Sequence, residues 1–249
     1  DIFTRLIADH GTEFDRVPAG YHGPLYVEVV PRTFSVIVEQ GTRLNQLRVV
    51  RGAPTLTDAS LAALHAAEPL VFREDAPTEP IISSGLWVTV DLAGGSETVG
   101  YRARPFGVID LSRIAHYDPA EFWEPVHCSR RGTIVLDPDD FYILVSKEQI
   151  RVPPDYAAEM VAYEPPIGEF RVHYAGFFDP GFGHGPGLHG TRGVLEVRSH
   201  EVPFLLEDGQ IVARLVYEPL LAPPERLYGT DIGSSYQHQG LTLSKQFRK

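Results

Sequence analysis

Val194-Leu195-Glu196-Val197, preceded by Phe178-Asp179 and followed by Gly209 and Leu215, restates a phrase written much earlier in the chain. There it reads Phe14-Asp15, then Tyr26-Val27-Glu28-Val29, then Gly41 and Leu47. The step from glutamate to glycine is 13 residues in both copies, and Glu39 and Glu207 also correspond. Self-similarity of this kind is the mark of an internal repeat. Between the aspartate and the glutamate the second copy is 4 residues longer. A length difference confined to one loop, with the flanking segments in register, is what a duplicated domain tolerates best. The repeated acidic pairs, Asp15/Glu28 and Asp179/Glu196, are therefore where chemistry is sought.

Outward from these phrases the chain is built of short apolar segments bounded by Gly and Pro. Leu25 to Val30, Thr33 to Val38, Leu44 to Val50, Leu86 to Leu92, Thr133 to Leu136, Phe141 to Val145, Gly193 to Val197 and Ile211 to Tyr217 read as strands. With 23 Gly and 21 Pro, the turn density is that of an all-β barrel or sandwich. One segment reads as a helix: Asp58 to Glu68 is rich in Ala and Leu, follows a capping Thr57 and stops before Pro69. Phe72 to Pro80 is acidic and Pro-containing and reads as a linker. The expected layout is residues 1–56 as the C-terminal half of a first domain, 57–77 as a helical and acidic linker, and 78–249 as a second domain. Because about 100 strand-rich residues precede the second acidic pair and almost none precede the first, the N-terminal half of the first domain is expected to be missing.

Composition narrows the function classes. The 249 residues are 43% hydrophobic and 22% charged, with no apolar run long enough to span a membrane. The formal net charge of −11 disfavours nonspecific binding to nucleic acid. Cys128 is the single cysteine, which points to a reducing, cytoplasmic setting and excludes any site needing two thiolates.

The order Gly132 to Asp137, Phe141 to Val145, Val152-Pro153-Pro154-Asp155, Phe178-Asp179-Pro180-Gly181-Phe182 and Val194-Leu195-Glu196 resembles the dCTP deaminase branch of the trimeric dUTPase superfamily. Trp87 to Leu92, Val108-Ile109-Asp110, Tyr217 to Leu220 and the tail with Tyr228 and Tyr236-Gln237-His238-Gln239-Gly240 extend the resemblance over residues 83–249. Gly20-Tyr21-His22-Gly23 and Glu28 match the same catalytic hairpin in the first copy. The resemblance implies an all-β fold of two dUTPase-like domains in tandem (β-clip, a distorted barrel of jelly-roll character) joined by a short helical linker. It also implies hydrolytic deamination of dCTP to dUTP and ammonia.

By the same resemblance Glu28 and Glu196 match the catalytic glutamate, and Asp15 and Asp179 the aspartate facing the deoxyribose. His10 lies where the family lines the base pocket, and Tyr228, Tyr236 and Gln239 match its C-terminal lid. A glutamate can take a proton from the attacking water and return it to the leaving ammonia, provided its site raises its proton affinity. Zinc-dependent cytidine deaminases need a C-x-x-C pair, which Cys128 cannot supply. No zinc is expected, and Mg2+ is expected to enter bound to the substrate triphosphate.

The family's Ser-Ser-x-x-Arg phosphate segment is replaced in the second copy by Tyr163 to Glu169. In the first copy it is expected just upstream of Asp1. Because sites in this superfamily form between subunits, a homo-oligomer with pseudo-threefold domain packing is expected. The expected ligand is dCTP or dUTP, with no nucleic acid and no membrane partner. Two rivals remain at this point, a dUTP diphosphatase of the same fold and a noncatalytic nucleotide-binding module.

Overall fold

The computed structural model describes residues 2–93, 97–162, 170–172, 176–187, 189–199, 202–229 and 240–249. Strands dominate. In chain order they begin with β1 (Ile2–Ala8), β2 (Leu25–Pro31) and β3 (Ser35–Ile37), followed by helix α1 (Asp58–Ala67). Next come β4 (Val71–Arg73), β5 (Ala76–Pro77), β6 (Leu86–Thr89), β7 (Gly100–Ala103) and β8 (Val108–Asp110), then the short helix α2 (Pro119–Phe122). The remainder is β9 (Trp123–Val126), β10 (Thr133–Leu136), β11 (Phe141–Ile150), β12 (Tyr156–Ala162), β13 (Phe170–Val172), β14 (Phe177–Phe178), β15 (Thr191–Ser199), β16 (Phe204–Glu207) and β17 (Ile211–Pro219).

The chain forms two compact units that are not a single cut of the sequence. The first comprises residues 1–49, 103–123 and 244–249, the second residues 50–102 and 124–243. In the second unit, one sheet runs β13-β15-β11-β4-β5, with β7 also paired to β11 and β9 to β7. A second runs β14-β12-β17-β6, and β10 pairs with β16. The core between them takes alternate residues of β15 from Thr191 to Val197, while β11 is buried on both faces from Phe141 to Ser146. Leu86, Leu136, Leu144, Leu195, Val197, Val212 and Leu215 are all fully shielded there.

The first unit holds the antiparallel β1–β2 pair and a parallel β3–β8 pair. Its core is aromatic: Phe34 meets Phe122 and Trp123 edge-on at 5.5 Å, and Phe247 meets Phe122 at 5.5 Å. Gly107 allows that packing, because a Cβ there would lie 2.4 Å from the Phe122 ring. The residue before it, Phe106, turns outward at φ 81° and is almost wholly exposed. Residues 244–249, expected in the second domain, belong to this unit. Phe247 is buried there, and Ala115 and His116 donate main-chain hydrogen bonds to Lys245 and Gln246.

Helix α1 starts where the Thr57 cap predicts, its hydroxyl accepting from Ser60 N. Two stretches depart from the sequence reading. Phe72 to Pro80 is no bare linker: Phe72 is buried on β4, and Glu74 and Asp75, at φ 50° and 62°, form the tight turn to β5. Positive φ at both central residues is the primed hairpin turn that matches strand twist, so the acidic pair turns the chain. Leu44 to Val50 forms no strand. Its counterpart β17 is laddered between β12 and β6, and among the described residues of the first unit no equivalent of either flanks this stretch. Without ladder partners an extended segment leaves its backbone groups to water.

Candidate active site

Glu196 sits at the middle of β15, with β11 hydrogen-bonded along one side and β13 along the other. It stands opposite Ile143 in the β11 register. Its neighbours Leu195 and Val197 point into the core and are fully buried. The glutamate faces the other way, half-buried. Burial pushes its carboxyl above the ordinary carboxylate range, the direction desolvation dictates for an anion. A carboxyl that keeps its proton nearer to neutrality suits a group that must both take and give one.

Glu28 is placed equivalently but in different surroundings. In the first copy Val29 stands opposite Thr4, Val30 opposite Phe3 and Pro31 opposite Ile2. In the second, Val197 stands opposite Val172, Arg198 opposite Arg171 and Ser199 opposite Phe170. Residue for residue, the register of β1–β2 is that of β13–β15, so Glu28 and Glu196 occupy equivalent positions on equivalent strands. Yet Glu28 is exposed and faces Arg5, whose Nη1 lies 3.7 Å from its Oε2. Arg5 itself lies 5.2 Å from the ring centres of Phe3 and Phe14. The two glutamates belong to different compact units.

Asp179 follows β14 in the turn Asp179 to Phe182, where Phe182 N donates to its carbonyl at 3.0 Å. It is half-buried. Asp15, at φ 58°, closes the first hairpin instead: Leu6 N donates to its Oδ1 at 2.7 Å, and its own N–H donates to Leu6 O at 3.0 Å. His10, at φ 59°, is exposed in the turn after β1. Since Asn keeps the acceptor that Leu6 needs, Asp15→Asn should preserve protection of the Leu6 amide in hydrogen exchange. Asp15→Ala should lose it at a cost of about 1 kcal/mol. Equal protection in both variants would show that this clasp contributes nothing.

Tyr228 is partly buried, packed on the core beside Phe182. Tyr236, Gln239 and the Tyr163 to Glu169 stretch lie outside the described residues. The Gly-rich loop carries His184 and His189. His184 Nε2 approaches Glu68 Oε1 at 3.3 Å, and His189 rests edge-on against Phe72. Among the described residues no cluster of three or more His, Cys, Asp or Glu is arranged to hold a metal ion.

Sequence reasoning missed a set of shielded and half-shielded polar contacts in the second unit. Glu148, shielded on β11, accepts from Thr89 N and Thr89 Oγ1, each at 2.7 Å, and from Arg73 Nη2 at 2.5 Å. Asp91 pairs with Arg192, and Lys147 with Asp208. The signal was Ser146-Lys147-Glu148-Gln149 inside an otherwise apolar strand. A cavity of about 420 Å3 opens elsewhere, beside Thr57, Asp58, Ser84 and Arg214. The Asp58 carboxylate there already accepts from Ser84 N and Gly85 N, and Arg214 donates to Ser84 O, so it offers little to a ligand.

Against this geometry the comparisons with known proteins are specific. Residues 57–247 match the model of the C-terminal domain of 2'-deoxycytidine 5'-triphosphate deaminase, and residues 1–53 the model of its N-terminal domain. The chain belongs to the dCTP deaminase family. The crystal structure of 2'-deoxycytidine 5'-triphosphate deaminase from Agrobacterium tumefaciens is 51% identical, with a TM-score of 0.82 over 90% of this chain and 66% of that one. The dCTP deaminase of Natronomonas pharaonis is 28% identical over 174 residues, covering 66% of this chain and 83% of that protein. A dUMP-forming dCTP deaminase of Halobacterium salinarum is 35% identical over 109 residues, 42% of this chain and 52% of that protein. This chain thus spans about two thirds of the Agrobacterium enzyme's length. The all-β fold expected from the turn density is the fold observed, and it is shared with the Agrobacterium enzyme. No helix among the described residues is long and apolar enough to cross a membrane.

Proposed function

We propose that this protein catalyses hydrolysis of the exocyclic C–N bond of dCTP, a cyclic amidine, with Glu196 carrying the proton. The observation behind this reading is a strand-centred carboxyl whose burial raises its proton affinity, on a chain of the dCTP deaminase family. Water adds to the ring carbon bearing the amino group and loses a proton to Glu196. The tetrahedral centre then expels the amino group, which takes that proton and leaves as ammonia. One water is consumed, and dUTP and ammonia are the products. Asp179 is assigned to the sugar, and magnesium enters on the triphosphate as part of the substrate. Zinc has no step in this scheme.

Five relatives are named dUMP-forming, which motivates a second reading in which diphosphate is also released. Incubating the protein with dCTP and resolving the products decides between them. Ammonia with dUTP supports the first reading, ammonia with dUMP and diphosphate the second, and binding without ammonia refutes both. Chelation should slow turnover only until Mg2+ is restored, and added Zn2+ should not replace it.

Association of subunits is part of the same reading. Leu25, Tyr26, Val27 and Val30 on β2 are 40–52% exposed, whereas Leu195 and Val197 on its counterpart are fully buried. So much apolar strand surface is a burden for a monomer. Sedimentation should therefore show an oligomer, and a monomer at working concentration would sink this part of the proposal.

A further inference from the structure

We infer that Tyr228 is a positioning residue, which fastens the Asp179 to Phe182 turn through its ring and main chain. This rests on the deaminase reading above, in which that turn presents Asp179 to the substrate.

Gly181 and Gly183 both adopt positive φ, 94° and 62°, conformations that glycine enters without a Cβ penalty but that do not hold themselves. Three main-chain hydrogen bonds tie the turn down on one side. Phe182 N donates to Asp179 O, Gly181 N to Val152 O, and Val152 N to Phe182 O. Tyr228 supplies the other side. Its N–H donates to Pro180 O at 3.0 Å. Its ring lies 5.9 Å from that of Phe182, which in turn meets Phe178 edge-on at 4.8 Å.

The approach is close enough to be demanding. A Cβ at Gly181 would sit 3.0 Å from Tyr228 O and 3.4 Å from Tyr228 N. Phe178 and Phe182 are buried in the core of the second unit and Tyr228 packs on them. The aromatic series therefore links the turn carrying Asp179 to the chain that leaves β17. Removing the Tyr228 ring opens a gap beside Phe182, and the turn gains freedom where Asp179 is held. Asp179 is assigned to the sugar and not to proton transfer, so displacing it removes binding common to ground and transition states, which raises KM with kcat little changed.

The test compares Tyr228→Phe with Tyr228→Ala in the complete protein, after ammonia release from dCTP by the parent has been measured. Tyr228→Phe keeps the ring and the main chain, so KM and kcat should stay within about twofold of the parent. Tyr228→Ala should raise KM for dCTP about tenfold or more, with kcat within about threefold. An equal loss in both variants would place the hydroxyl on the ligand and overturn the inference. So would an unchanged KM in Tyr228→Ala. If Tyr228→Ala does not fold, Tyr228→Leu serves instead: it removes the ring while filling part of its volume and should raise KM in the same direction, and an unchanged KM there also overturns the inference. If the parent releases no ammonia, the deaminase reading fails. The inference on the turn is then judged by hydrogen exchange, where Tyr228→Ala should lose and Tyr228→Phe retain protection at Phe182.

Discussion

Glu196→Gln should lower ammonia release from dCTP by about 100-fold or more, the scale expected for losing a group that both accepts and donates the proton. Glutamine keeps the shape of the side chain but cannot shuttle a proton, so substrate binding should survive. Stability should move the other way. The folded-state pKa of Glu196 is raised by burial, so the folded protein holds this proton more tightly than the unfolded chain does. Stability contributed by the protonated form is fully present below the unfolded value of about 4.3. It is lost as pH rises through the higher folded-state pKa, because the charged carboxylate must then stay in a poorly solvated place. Glutamine never carries that charge. At neutral pH the variant should therefore match or exceed the parent in thermal midpoint while being nearly inactive. A structural glutamate would give the reverse pattern: falling stability and modestly affected turnover. The first copy provides the internal control. Glu28 is exposed and faces Arg5 at 3.7 Å, and on the reading that assigns the chemistry to Glu196 its replacement by glutamine should be much milder. Near-normal turnover in Glu196→Gln would end that assignment.

How much of this was legible beforehand depends on whether a feature is local or long-range. The repeat was legible because it is carried by spacing, and the shared register of β1–β2 and β13–β15 is what equal spacing should build. Helix α1 was legible because Thr57 and Pro69 punctuate it locally. The strand from Thr133 to Leu136 was read with its observed bounds, whereas Phe141 to Val145 was read five residues short of Ile150. There the polar run Ser146 to Gln149 hides a strand interior whose side chains are satisfied by partners far away in sequence. Glu148 meets Thr89 and Arg73, and nothing near position 148 announces either. The same limit applies to Phe247, which closes an aromatic cluster begun by Phe34. It also applies to Leu44 to Val50, whose apolar pattern is that of a strand but whose ladder partners are not supplied. At the site, the identity of the two carboxylates could be read from the pattern, but their different environments could not. Burial of one and pairing of the other are set by neighbouring strands, which spacing does not specify.

Glu148→Ala should destabilise the protein by about 3–5 kcal/mol, the scale of breaking one side of a buried polar pair. The magnitude follows from what is left behind rather than from the ion pair alone. Arg73 is nearly half exposed and can turn to water once its partner is gone, so its share is small. Thr89 cannot. It is buried, and both its N–H and its hydroxyl donate to Glu148. Each donor stranded without a partner costs about 1–3 kcal/mol, and the vacated side-chain volume adds a cavity term. Against a total stability of about 5–15 kcal/mol for an ordinary domain, such a loss would show as a large drop in urea midpoint. Glu148→Gln, which retains one acceptor oxygen, should fall between the parent and Glu148→Ala. Arg73→Met leaves the shielded Glu148 carboxylate without its counter-charge but still held by both Thr89 donors, so it should cost about 1–3 kcal/mol, less than Glu148→Ala. A smaller loss in Arg73→Met than in Glu148→Ala is thus the signature of a network whose buried half is Thr89. If Arg73→Met proves as damaging as Glu148→Ala, the ion pair dominates and the two Thr89 hydrogen bonds are incidental.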